Sequence, residues 1–216
     1  MKTRIDRVAR LARARLYCCT GARTSLADFE DFVNAIYEGG VDIVQFRDKT
    51  MEAGPALAHL ELLRRAADRH AALACVNDRA DLAVIAGMDV VHVGQDDLTP
   101  AQARSIVGAD MLIGRSTHAI AEAAAAADDD DVDYFAVGPV WPTPTKPGRA
   151  APGLQLVREV SSREFLKPWF AIGGIDVARV QQVRDAGARR IVVVRALTEA
   201  QSPTASALGL RSAIVG

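Results

Sequence analysis

The chain has 216 residues, 50% of them hydrophobic and 25% charged, which suits one domain with a sizeable buried core and excludes a disordered composition. Its 26 Lys and Arg against 27 Asp and Glu leave a formal charge of −1, so nothing in the overall balance attracts nucleic acid or an anionic membrane. Cys18, Cys19 and Cys75 are odd in number and lack metal-ligand spacing, as expected of free thiols in a reducing, cytoplasmic setting, and no run approaches the roughly 18 to 20 apolar residues that span a bilayer.

Residues 2–15 are Arg-rich without the continuous apolar stretch of a signal peptide. Ile5, Val8 and Leu11 recur at near-helical spacing there, which predicts a short amphipathic helix closing one end of the fold. Beyond it, β-branched runs alternate with Ala- and Leu-rich segments. Strands are predicted at 16–21, 42–48, 73–77, 90–94, 111–117, 134–140, 169–175 and 191–196. Helices are predicted at 28–38, 55–70, 79–86, 99–107, 120–127, 154–161, 177–186 and 203–213. Thr99 before Pro100 is an N-cap followed by a first-turn proline.

Eight strands, each followed by a helix and several apolar on consecutive positions, predict a parallel sheet covered on both faces. The expected fold is a (β/α)₈ TIM barrel occupying 1–216 as a single domain, with an open doubly wound sheet as the alternative. The acidic run Asp128 to Asp131, extended by Asp133, reads as a solvated loop because adjacent side chains diverge.

In such a barrel the C-terminal strand ends and the loops after them converge on one mouth, and polar residues end nearly every strand here. Gln45, Arg47 and Lys49 repeat with period 2 and can face one side, where a forked guanidinium and a mobile ammonium suit a polyanion. Asp78 and Asp97 end neighbouring strands, so their carboxylates can meet one divalent cation of the Mg²⁺ type. Residues 138–148 carry four prolines and two glycines, a stiff loop whose Thr143, Thr145 and Lys146 offer donors to phosphate oxygens. Gly173 and Gly174 end the seventh strand and permit close approach of a ligand to backbone N–H groups. His59 and His70 fall on an outer helix as packing or surface residues, whereas His92 and His118 sit near the mouth without the spacing of a zinc site.

Taken in order, the stretches 40–49, 76–83, 91–98, 113–118, 133–139, 142–146 and 171–175 resemble the thiamine-phosphate synthases (thiamine-phosphate pyrophosphorylases) across roughly residues 16 to 200. The resemblance implies a TIM-barrel transferase. It would join 4-amino-2-methyl-5-(diphosphooxymethyl)pyrimidine to a thiazole phosphate, release pyrophosphate and form thiamine phosphate, with Mg²⁺ as cofactor. Carried over by position, Gln45, Arg47, Lys49, Asn77, Ser116 and Lys146 would hold the pyrimidine pyrophosphate, with Arg47, Lys49, Ser116 and Lys146 as the catalytic set. Asp78 and Asp97 would bind the metal; Thr143, Thr145, Gly174 and the backbone at Val194 and Arg195 would hold the thiazole phosphate. The family often has Ser where this chain has Arg195, which leaves a backbone contact intact but removes a hydroxyl. The implied partners are these small molecules, with neither nucleic acid nor membrane. A thiazole tautomerase-like barrel and a non-catalytic thiamine-phosphate sensor are the competing readings, and the residues leave the oligomeric state open.

Overall fold

A computed structural model describes residues 2–143 and 151–216. Eight parallel strands close into a barrel in chain order: β1 (Leu16–Thr20), β2 (Ile43–Phe46), β3 (Leu73–Asn77), β4 (Val90–Val93), β5 (Leu112–Thr117), β6 (Tyr134–Val137), β7 (Trp169–Ile172) and β8 (Ile191–Val193). Around them run α1 (Arg4–Arg13), α2 (Leu26–Glu38), α3 (Ala53–Arg69), α4 (Ala80–Ile85), α5 (Pro100–Val107), α6 (Ile120–Asp128), α7 (Gly153–Ser161), α8 (Val180–Asp185), α9 (Arg195–Thr198) and α10 (Pro203–Val215). The TIM barrel expected from the alternation is the fold observed.

The strands are apolar on both faces because both faces are covered. Inward-pointing Tyr17, Ile43, Leu73, Val90, Leu112, Tyr134, Phe170 and Val192 form one cluster inside the barrel. Their neighbours one position on, among them Cys18, Val44, Ala74, Val91, Ile113 and Val193, belong to the larger cluster beneath the helices. Phe135 and Val137 join Leu156 and Val160 of α7 in a third. The three cysteines are buried free thiols, as expected.

Helix starts follow the local chemistry. Thr3 with Asp6, and Thr99 with Gln102, form reciprocal capping boxes at α1 and α5, and Pro100 occupies the first turn of α5. The predicted closure of one barrel end by α1 holds, since Leu11 enters the interior cluster and Arg7 is buried beside Asp89.

That closed end is built on three aspartates, each standing just before an even-numbered strand. Asp42 accepts the Leu16 N–H at 3.0 Å, Asp89 the Ala74 N–H at 3.1 Å and Asp133 the Ile113 N–H at 2.8 Å. Each carboxylate also meets cations: Arg211 at Asp42, Lys2 and Arg7 at Asp89, Arg4 and Arg104 at Asp133. Before β8 the position falls to Arg190, whose Nη2 donates to the Ala12 carbonyl at 3.2 Å. The assignment of Asp133 to a solvated loop is therefore corrected. The acidic run straddles the end of α6 and a turn, but its last member sits at a strand entrance, where the unpaired N–H of β5 and two guanidiniums claim it.

Several boundaries also differ. Strand β8 ends at Val193, and the apolar run that reads as strand to 196 turns at Val194 (φ −125°, ψ −87°) into the single turn α9. One helical turn is too short to show periodicity in sequence. Strands β6 and β7 stop at Val137 and Ile172, yet their loops continue the ladder, with the Val140 N–H donating to the Ile172 carbonyl at 2.9 Å and the Trp141 N–H to Gly173 at 3.1 Å. Among the described residues no helix is long and apolar enough to cross a membrane.

Candidate active site

The mouth has two sectors. Over β2 to β4 the residues are charged. The Lys49 ammonium lies 3.0 Å from Asp78 and 3.8 Å from Asp97, so the two carboxylates predicted to meet do share one cation. Asp78 adopts a left-handed backbone (φ +60°), an uncommon state for a non-glycine residue that aims its side chain back over the mouth. The Asn77 amide donates to it at 2.5 Å. Burial raises the Asp78 pKa above the ordinary carboxylate value, and the neighbouring Asp97 adds to the rise while Lys49 opposes it. Asp97 is fixed from its own loop, accepting the Gly94 N–H at 3.1 Å. A Cβ at Gly94 would stand 2.6 Å from that carboxylate oxygen, so the absence of a side chain there lets the acid fold back over β4.

Arg47 follows the end of β2, its backbone N–H still paired with Thr20 at 2.8 Å, and its guanidinium has no partner among the described residues. Gln45 sits deeper than its two period-2 companions. It is buried, with Nε2 donating to the Tyr17 hydroxyl at 2.6 Å and Oε1 accepting from the Cys19 thiol at 3.4 Å.

Over β5 to β8 lies a cavity of about 320 Å³. Its walls are apolar, from Ala136, Ile172, Val192 and Val194, and its polar and charged lining residues are Ser116, His118, Thr143, Asp176, Arg179, Arg195 and Glu199, with Gly173 and Gly174 beside them. The glycines are required here. Gly173 and Gly174 have φ of +110° and +67°, and a Cβ on them would come within 2.6 Å of Pro139 and 2.9 Å of Trp141 respectively. His118 anchors the floor of the same loop, its Nδ1 lying 2.5 Å from the Gly138 carbonyl.

Of the residues expected in the site, Ser116, Thr143, Gly174, Val194 and Arg195 line this cavity, and Lys49, Asn77, Asp78 and Asp97 gather beside it. Thr145 and Lys146 lie outside the described residues. The sequence reading missed Arg179, which donates to the Gly174 carbonyl at 2.9 Å and lies 5.1 Å over the Trp141 ring. It also missed the single turn α9, whose Arg195 lines the cavity. Arg179 carries no sequence signal, being one arginine among many on a predicted outer helix.

Eight βα units with their polar chemistry gathered at the C-terminal strand ends define a TIM-barrel enzyme. The sequence profile described as thiamine monophosphate synthase matches residues 16–197, and the chain belongs to that family. Thiamine-phosphate synthase of Mycobacterium sp. (strain KMS) is 58% identical over 214 residues, which cover 95% of this chain and 94% of that one. The protein of the same name from Streptomyces avermitilis is also 58% identical, over 92% of each chain. Among solved structures, thiamine phosphate pyrophosphorylase from Pyrococcus furiosus superposes with a TM-score of 0.83 at 26% identity, covering 96% of both chains.

Proposed function

We propose that this protein condenses 4-amino-2-methyl-5-(diphosphooxymethyl)pyrimidine with a thiazole phosphate, giving thiamine phosphate and pyrophosphate. The observation that supports this most is the joining, at one mouth, of a charged sector containing two acids and two cations with an apolar, glycine-lined cavity. A diphosphate suits the first and a ring bearing one phosphate suits the second.

The carboxylate pair fits Mg²⁺. Asp78 and Asp97 are hard oxygen donors already drawn to one shared cation, Lys49, and Mg²⁺ is commonly held by one or two carboxylates with substrate phosphate and water completing its shell. When bound, the ion would neutralise the diphosphate and favour its departure. The chain's own residues act beside it. Arg47 and Lys49, with Lys146, face negative charge that grows as the C–O bond breaks. A unit charge about 4 Å away is worth about 4 kcal/mol at an effective dielectric of 20, so two such cations reach the lower range of enzymatic rate enhancements. The Gly174 and Arg195 N–H groups, with Thr143 and Thr145, hold the thiazole phosphate where loops after strands seven and eight commonly bind phosphate. The thiazole nitrogen attacks the pyrimidine carbon directly, so no protein nucleophile is assigned. The free thiols and the substrate class support a cytoplasmic location.

The test is pyrophosphate release from purified protein given both substrates with Mg²⁺, repeated with EDTA. Mg²⁺-dependent release supports the reading. A folded protein that releases none, but converts the thiazole phosphate alone, is a tautomerase; stoichiometric binding without turnover identifies a sensor.

A further inference from the structure

Inside a barrel of this kind the layers are usually branched aliphatic side chains. Here six consecutive strands each contribute a polar group to one connected line: Tyr17 of β1, Gln45 of β2, Cys75 of β3, His92 of β4, Ser116 of β5 and Tyr134 of β6. The links run Gln45 Nε2 to Tyr17 hydroxyl at 2.6 Å, Tyr17 to Tyr134 at 3.1 Å, Tyr134 to His92 Nδ1 at 3.0 Å and His92 Nε2 to Ser116 Oγ at 3.0 Å. Ser116 ends the line in the wall of the active-site cavity. Gly114 makes room for it, since a Cβ there would overlap the Tyr134 ring and stand 2.5 Å from His92 Nδ1.

The line has a direction. The Gln45 amide nitrogen only donates, and its carbonyl end faces the Cys19 thiol, so the Tyr17 hydroxyl accepts a hydrogen bond from below and donates its own onward. Its two possible acceptors are the Cys75 sulfur at 3.3 Å and the Tyr134 oxygen at 3.1 Å, and sulfur is the weaker acceptor. Tyr134 then donates to His92 Nδ1, which leaves the His92 proton on Nε2, pointed at Ser116 Oγ. With its lone pair so engaged, the serine directs its own O–H into the cavity. Burial pushes the Tyr134 phenol well above its ordinary pKa, so the proton needed at that link is present at any working pH.

We propose that Tyr134 is a positioning residue that, through the His92 tautomer, makes the Ser116 hydroxyl a hydrogen-bond donor to the substrate. This rests on the thiamine-phosphate synthase reading only for its kinetic consequence; the tautomer itself does not depend on the substrate.

The test has two arms. In ¹⁵N NMR of the unliganded protein, with the His92 signals assigned by their loss in His92→Gln, the wild type should show an Nε2–H imidazole and Tyr134→Phe a shift toward Nδ1–H. An Nδ1–H wild type, or a tautomer unmoved by Tyr134→Phe, overturns the proposal. Kinetically, Tyr134→Phe should lower kcat about tenfold, the scale of one misdirected hydrogen bond, with KM for both substrates nearly unchanged. Tyr17→Phe, one link further away, should lower it less. Of these three single variants Ser116→Ala should be the most damaged, and adding Tyr134→Phe to it should cost nothing more. Additive losses in that double variant overturn the proposal. A wild type that releases no pyrophosphate defeats the functional reading instead, and leaves the NMR arm to decide the relay.

Discussion

At the closed end of the barrel Asp42, Asp89 and Asp133 each hold a strand N–H and at least one cation, while at the open end Asp78 and Asp97 divide a single lysine between them. The residue type is the same, but the closed-end acids are spent on joining strands. At the mouth, burial and mutual repulsion leave Asp78 more easily protonated than an ordinary carboxylate, a state that a further cation would relieve. Strand entrances thus carry stability, and strand exits present the acids to which the chemistry is assigned.

The contrast can be broken by substitution at either end. The largest effect is expected at the mouth: Asp78→Ala and Asp97→Ala should each lower Mg²⁺-dependent turnover by about 10² to 10³-fold, some 3 to 4 kcal/mol, with thermal unfolding little changed. Unaltered rates in both would remove the metal assignment. At the closed end, Asp89→Asn should lower stability by about 3 kcal/mol, because it leaves the buried Arg7 without a carboxylate partner, while kcat stays near that of the parent. For a chain of this size that is a fall in Tm of roughly 6 to 12 °C. Lost activity in a folded Asp89→Asn protein would show that the two ends are coupled after all.

Gly174→Val should come next. A β-branched residue at φ +67° with Trp141 in the way costs about 1 to 3 kcal/mol, and it should appear chiefly as a raised KM for the thiazole phosphate rather than for the pyrimidine. Thr99→Ala removes the capping box of α5, two residues beyond Asp97, and should cost about 1 kcal/mol in denaturant unfolding.

The smallest effect concerns the thiols. Burial pushes Cys75 up to about 12, so the thiol stays protonated at ordinary pH and thiol reagents should label it only on unfolding. Since this pKa is raised by folding, its contribution to stability is complete below the unfolded thiol value near 8.5 and declines as pH rises toward 12. The gradual alkaline loss should be visible in Tm measured against pH.

Much of this was legible in the residues because the signals repeat. The βα alternation appears eight times, and the glycines at 173 and 174, the acids at 78 and 97 and the cations at 47 and 49 all fall where strands end. What was hidden lacks repetition or depends on closure. The turn α9 is only about one helical period long. Asp133 looks like the tail of an acidic run until β5 presents an N–H to it. The line from Gln45 to Ser116 joins residues up to 117 positions apart, and only a closed barrel brings Tyr17 against Tyr134.

Trp141 stands at the lip of the cavity beneath the Arg179 guanidinium, and the only other indole, Trp169, opens β7 from the opposite end of the strand. The molecule therefore carries a built-in optical gauge. A phosphate that draws Arg179 off the ring alters Trp141 emission while Trp169 supplies a constant background, so filling of this half of the mouth can be followed without any label.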